Sequence, residues 1–200
     1  MKEHTYLTIP LTSIIAVLIF LFSAPKALSG QSSLSSYGSV FVKTSKIHNQ
    51  YRPQIGGMGG IVFNHHIGLV AYGNGQLGSV NLSTNDAGGA NEQDLSMKFG
   101  YGGLFAEYFF INNKFLRFSL PLKVGYGAVG IYDNTTEERI EKSRLLVLEP
   151  ELHFDVRLGN HVAISLQASY RFGNIKDLTN ISNQTLSGLN LGLGLKMTSK

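Results

Sequence analysis

From Leu116 to Gly130 the chain reads LRFSLPLKVGYGAVG, in which Leu116, Phe118, Leu120, Leu122, Val124, Tyr126 and Ala128 alternate without a break with Arg117, Ser119, Pro121, Lys123, Gly125 and Gly127. Unbroken period two over such a length dictates a β-strand with one aliphatic and one polar face, because successive side chains of a strand point to opposite sides. The pattern returns downstream. In LLVLEPELHFDVRL, Leu146, Leu148, Leu152, Phe154, Val156 and Leu158 oppose Glu149, Glu151, His153, Asp155 and Arg157. In HVAISLQASYRFG, Val162, Ile164, Leu166, Ala168, Tyr170 and Phe172 oppose Ser165, Gln167, Ser169 and Arg171. In LNLGLGLKM, Leu189, Leu191, Leu193, Leu195 and Met197 oppose Asn190, Gly192, Gly194 and Lys196. All of these outrun the usual strand of about five or six residues.

Upstream, glycine dilutes the alternation, and strands are expected at Tyr37 to Ile47, Gln54 to Asn64, His66 to Gly78 and Leu95 to Ile111. The connections alternate in kind. HNQYRP and the segments Ser79 to Asp94, Asp133 to Ser143 and Asn174 to Gln184 are polar and mostly long, whereas NHH, NNK and GNH are tight. Eight strands with four long loops on one side and three short turns on the other predict an all-β, antiparallel up-and-down transmembrane barrel.

Gly125, Gly127 and Gly130 also spell G-x-G-x-x-G, with Glu149 and Glu151 about 20 residues on, the outline of a dinucleotide-binding turn. Its context excludes that reading. A nucleotide-binding strand is covered on both faces and apolar throughout, and the following YDNTTEERIEKS has only Ile140 to pack a helix against a sheet. GGMGG at 56 to 60 is likewise followed by no helix, so close backbone packing is the expectation there rather than a phosphate cradle.

The first 30 residues differ in kind: Lys2, an apolar run from Leu11 to Phe22, then Ala24, Ala27, Ser29 and Gly30. That order predicts a secretory signal peptide over residues 1–30, with a run too short to span a bilayer, and one barrel domain over residues 31–200. Cysteine is absent, so no disulfide scaffold forms and no cysteine is acylated. A net charge of +4 with 15% charged residues and no Lys/Arg run gives no nucleic-acid footprint.

Period two does not by itself say which face is inside. The polar face is rich in Gly and Ser, which suits the cramped interior of an eight-stranded barrel. Aromatics bracket the apolar face, with Phe63, Phe109, Phe110 and Phe115 near the short turns and Tyr72, Tyr101, Tyr126, Tyr132, Tyr170 and Phe172 toward the long loops. The ten steps from Leu116 to Tyr126 rise about 25 Å at a tilt near 40°, the height of a lipid-facing band. The polar face is therefore expected inside. A three-residue turn at Gly159, Asn160 and His161 pairs Leu158 with Val162 and sets Glu149 across from Arg171, Glu151 from Ser169 and His153 from Gln167. With Glu107 within reach of Arg117 or Lys123, the expected lumen network is Glu107, Arg117, Lys123, Glu149, Glu151, His153, Gln167 and Arg171.

His153, Asp155, Ser165 and Ser169 share that inward face and invite a hydrolase reading. An enzyme acting on lipid needs its nucleophile on the lipid side, so a hydrogen-bonded lumen network is the expectation. His65 and His66 are adjacent in a tight turn, which sends their side chains to opposite faces and does not build a metal site. No catalytic, cofactor or metal residue is expected.

Alternating strands such as FSLPLKVGYGAVG and LEPELHFDVRLG, the strand end SYRFG and the loop rhythm make residues 37 to 197 resemble the eight-stranded outer-membrane β-barrel family, of the OmpA transmembrane-domain and OmpX type. The chain departs from that pattern in ending LGLKMTSK where many members end on an aromatic residue. The resemblance implies a monomeric integral protein of the bacterial outer membrane, with a side-chain-filled lumen and four surface loops. Its role would be structural or surface interaction, as adhesion or envelope integrity. Its expected partners are outer-membrane lipid, lipopolysaccharide and a surface ligand at the loops. A narrow small-solute channel is the alternative reading, and a lipid A-modifying enzyme the second.

Overall fold

The computed structural model describes residues 34–47, 50–82, 95–133, 139–176 and 186–199. The signal peptide expected over residues 1–30 lies outside them, as do 83–94, 134–138 and 177–185 of the expected loops. Nine strands are described: β1 (Leu34–Ile47), β2 (Gln50–Phe63), β3 (Ile67–Gln76), β4 (Val80–Leu82), β5 (Leu95–Asn112), β6 (Leu116–Asp133), β7 (Arg139–Arg157), β8 (Val162–Lys176) and β9 (Gly188–Thr198). Every pairing is antiparallel. β1 pairs with β9 and β3 with β5, which closes the sheet on itself. β3 and β4 pair with successive stretches of β5, Gly75 opposite Gly100 and Val80 opposite Met97, with Gly78 at φ 78° in the break. They form one interrupted stave, and the barrel has eight.

The register between β7 and β8 is the expected one. Leu158 N–H donates to the Val162 carbonyl at 2.9 Å, and Glu151 lies opposite Ser169 and His153 opposite Gln167. The short connections are chemically fitted to turning. Asn64 and His65 both have positive φ, and the Asn113 side chain accepts from the Phe115 and Leu116 backbone at 3.0 and 2.7 Å. The loop end differs from expectation. Ile47 pairs with Gln50, so HNQYRP is no long loop: β2 starts at Gln50 and only residues 48–49 separate the strands. β4 lies inside the expected Ser79–Asp94 loop, and β6 and β7 continue to Asp133 and from Arg139. Pairing persists there because a ladder in a closed sheet satisfies backbone groups whatever the side chains are.

The faces are inverted relative to a water-soluble protein. On β9, Leu189, Leu191, Leu193, Leu195 and Met197 are 40–59% exposed on the outside, while Asn190 and Lys196 are 1% and 0% exposed on the inside. Leu104, Val124, Leu146 and Leu166 continue this apolar band around the barrel. Tyr126, Tyr170 and Phe172 edge it toward the loop end, and Phe63, Phe110 and Phe115 toward the turn end.

Tyr72, Tyr101 and Phe109, expected among those outer aromatics, are instead buried inside. On β3 and β5 both faces are apolar, so period two carries no sign there, and a bulge between Phe109 and Ile111 shifts the phase of β5. The glycines of the G-x-G-x-x-G stretch make this possible. The Tyr72 hydroxyl occupies the place of a Cβ on Gly125, and Tyr101 and the Gly100 carbonyl crowd that of Gly127.

Candidate functional site: a charged barrel interior

Because β1 and β6–β9 send polar side chains inward and β5 adds Glu107, charged side chains from strands far apart in sequence meet across the narrow lumen. Four buried carboxylates, Glu107, Glu149, Glu151 and Asp155, face four buried basic groups, Lys43, Lys123, Lys196 and Arg171, among the described residues. The balance of charge is what permits burial, since an unpaired ion in such a place costs several kcal/mol.

At the centre, Lys43 from β1 bridges two acids of β7, with Nζ 3.3 Å from Glu149 and 2.5 Å from Glu151. Lys123 pairs with the other oxygen of Glu151, and its ammonium lies 5.1–5.4 Å from the ring centroids of Phe41, Tyr72 and Phe105. Glu149 also accepts from Tyr101 at 2.7 Å, Ser169 at 2.5 Å and Asn190 at 3.2 Å. Toward the turn end, Glu107 accepts from the Tyr37 hydroxyl and, at 2.6 Å, from Ser119. Lys196 pairs with Asp155 at 2.8 Å and lies 3.8 Å from Glu107. His153 joins the two clusters, with Nδ1 3.2 Å from Glu107 and Nε2 3.4 Å from Glu151.

The residues expected in the lumen are thus disposed unequally. Glu107, Lys123, Glu149, Glu151 and His153 come together in one connected set. Gln167 is buried beside it, with no hydrogen-bond partner for its amide among the described residues. Arg171 is buried, but it does not pair with Glu149 across the strand. It donates to the Leu186 carbonyl at 2.6 Å and to Ser45 at 2.9 Å, and its guanidinium lies 4.9 Å from the Phe99 ring centroid. The expected ion pair is replaced because a long side chain in a narrow barrel reaches other strands, and Lys43 already occupies Glu149. Arg117 reaches neither Glu107 nor the central cluster. It sits half-buried at the turn end, where it and Arg157 donate to Asn112 Oδ1 at 3.4 and 2.6 Å beside a cavity of about 370 Å³. Lys43 and Lys196 complete the set. Lys196 is legible on the polar face of its strand, whereas Lys43 sits in a glycine- and serine-diluted segment and declares its partners only once β1 closes the barrel.

Among the described residues the geometry builds no acyl-transfer relay. His153 faces carboxylates on both sides, Ser169 donates to Glu149, and Asp155 holds Lys196. Ser165 Oγ has no partner among the described residues. Above the ions, Ile47, Met97, Val129, Ile131, Leu145 and Leu186 pack into an apolar plug at the loop end, each at most 7% exposed.

No family model and no curated protein sequence matches the chain. Solved structures do. Neisserial surface protein A superposes with a TM-score of 0.59 at 10% identity, over 84% of this chain and 99% of that protein. OprG, an outer membrane protein from Pseudomonas aeruginosa, gives 0.55 at 13% identity, over 83% and 95%. Ail, the attachment invasion locus protein of Yersinia pestis, gives 0.52 at 13% identity, over 83% and 98%, in its complex with the heparin analogue sucrose octasulfate. The chain has the fold of these eight-stranded outer-membrane β-barrels.

Proposed function

We propose that the chain is a small integral protein of the bacterial outer membrane whose barrel is a closed plug rather than a pore, and which acts through what it displays at the surface. The observation that carries this reading is the filling of the lumen. An ion pair from Lys43 to Glu151 crosses its middle, one from Lys196 to Asp155 fills it toward the turn end, and an apolar layer from Ile47 to Leu186 caps them. An eight-stranded barrel is just wide enough for side chains to fill, and here the described strands supply them. The work then falls to the loop end. Adhesion or envelope integrity is the role this supports, with lipid and lipopolysaccharide around the band and a surface ligand at the loops. That Ail is named for attachment and invasion, and that Neisserial surface protein A is named for the surface, agrees with it. That both nitrogens of His153 face carboxylates, and that the hydroxyl of Ser119 opposite it donates to Glu107, weighs against lipid modification.

Single-channel recording tests the plug. Purified barrel inserted into planar bilayers should leave the current at baseline across the voltage range. Discrete, reproducible conductance steps from the unmodified chain would instead support the narrow small-solute channel.

A further inference from the structure

At the turn end the lumen finishes in the cavity of about 370 Å³, and the charge there is not balanced. Farther in, four carboxylates face four basic groups. Arg117 of β6 and Arg157 of β7 are two positive charges beyond that balance. Both stand on the inward face of their strands, Arg117 two residues before buried Ser119 and Arg157 two residues after buried Asp155. The acids of the turn half are already engaged. Asp155 lies across the ladder from Arg117, yet it holds Lys196 at 2.8 Å, and Glu107 is held by Tyr37, Ser119 and Lys196. No described carboxylate forms an ion pair with either arginine, and none lines the cavity.

What the two guanidiniums share is a single neutral oxygen. Arg157 Nη2 donates to Asn112 Oδ1 at 2.6 Å, and Arg117 Nε donates to the same atom at 3.4 Å. Asn112 is oriented for this by its own amide, which donates to the His65 carbonyl at 2.8 Å, and the Arg117 guanidinium stands 5.1 Å from the Phe109 ring centroid. Two like charges from different strands are thus drawn together, an arrangement that repels itself until an anion joins it. Each guanidinium carries five N–H donors in a planar fork, so one shared oxygen leaves most of them for another acceptor. Ser35, Thr198 and Asn160 add hydroxyl and amide groups to the same wall.

We propose that this cavity binds a phosphate group presented from the turn end. Arginine forks match phosphate oxygens and meet them in charge-assisted hydrogen bonds. A carboxylate has two oxygens and is satisfied by one fork, whereas a tetrahedral phosphate offers oxygens to two forks at once. The volume lies at the low end of the range of about 300–1,000 Å³ for small-molecule sites, so it takes a phosphate with a short organic group. Leu34 and Val62 give that group an apolar wall. The site does not open the plug, because the Lys196–Asp155 pair fills the lumen behind it. Soluble phosphate monoesters and the phospholipid headgroups of the adjoining leaflet carry the same chemistry, and the probes used in the test separate them.

The test uses the full chain purified as folded barrel in a nonionic detergent, with heat-modifiable migration on gels as the check of folding. Titration calorimetry then compares glycerol phosphate, glycerol, succinate and a short-chain phosphatidylglycerol. Glycerol phosphate should bind, and glycerol and succinate should not. Arg117→Gln and Arg157→Gln should each weaken binding about tenfold or more, as the loss of a hydrogen bond to a charged group requires. Arg157→Lys, which keeps the charge and loses the fork, should weaken it severalfold. Lys142→Gln, exposed near the loop end, should leave it unchanged. Tighter binding of glycerol phosphate than of phosphatidylglycerol assigns a soluble ligand and the reverse a leaflet lipid, and either supports a phosphate site. Undiminished binding by both glutamine variants, or succinate bound as tightly as glycerol phosphate, overturns the proposal. So does unmodified barrel that binds neither phosphate probe, an outcome that needs no variant to fold. Measured in detergent, that failure sinks this inference alone and leaves the membrane reading standing.

Discussion

Lys43→Met should destabilise the barrel by about 3–5 kcal/mol, measured as urea-induced unfolding from lipid vesicles, because it removes one partner of a buried ion cluster and leaves the others in place. Lys43 is 2% exposed and touches both Glu149 and Glu151. Without it the two acids, adjacent on one face of β7, share Lys123 as their remaining lysine. Adding Glu149→Gln to Lys43→Met should recover part of the loss. The Gln carbonyl oxygen can still accept from Ser169 and Asn190, its amide N–H can donate to the Tyr101 hydroxyl, and the surplus negative charge is gone. The two single changes are therefore non-additive. Strict additivity would mean that Lys43 and Glu149 are not coupled and that β1 does not close the barrel against β9 in the register described. Arg171→Ala should not show this coupling with Glu149, since the guanidinium is held by the Leu186 carbonyl, Ser45 and the Phe99 ring.

Leu120→Arg should cost about 2–4 kcal/mol, because Leu120 lies on the outer face of β6 near the middle of the apolar band, where a guanidinium meets hydrocarbon. Leu116→Arg, on the same face but at the turn end of β6, should cost only about 0–1 kcal/mol, since its charge reaches the interface. The depth dependence is the informative part. Two losses of equal size would indicate that the outer face packs against protein rather than lipid, because a protein interface has no reason to grade the cost with distance along the strand.

How much of this was legible in the sequence depended on whether the two faces of a strand differ. On β6, β7, β8 and β9 one face is aliphatic and the other charged or small. The strands, the inward assignment of Lys123, Glu149, Glu151 and His153, and the register through Leu158 and Val162 could be read directly. On β3 and β5, Val70 and Tyr72 inside oppose Leu69 and Ala71 outside, so the alternation is between one apolar residue and another. Period two then has no sign, and the sequence alone places Tyr72, Tyr101 and Phe109 on the lipid side. Polar composition also misled at the loop end. His48 to Pro53 read as a loop because the chain is hydrophilic there, yet the Ile47 to Gln50 pairing continues the ladder, since strands above a membrane need no apolar face.

The partners within the lumen were the least legible part. Register tells which residue lies across a ladder, and so matches Glu149 with Arg171. In a narrow barrel, however, a long side chain extends past its neighbour to strands on the far wall. Lys43 and Glu149 stand on β1 and β7 and share no ladder, so no two-strand argument finds them. The exposed basic residues above the apolar band are illegible for a related reason: Lys98 stands on one expected strand, Lys142 falls in the segment read as the loop Asp133 to Ser143 and Arg144 follows it, and the three become neighbours only through the register of β5, β6 and β7.

The central claim is that the aliphatic face meets lipid and the charged face meets itself. The chain contains no tryptophan, so a single Leu166→Trp reporter, on the outer face of β8, has no tryptophan background. Refolded into vesicles of lipid brominated along the acyl chains, this tryptophan should be strongly quenched, with blue-shifted emission, while a tryptophan at solvent-facing Lys114 in the turn before β6 should not. Equal emission of Leu166→Trp in brominated and unbrominated vesicles, from barrel that migrates as folded, would contradict the assignment of faces and with it the membrane-embedded barrel.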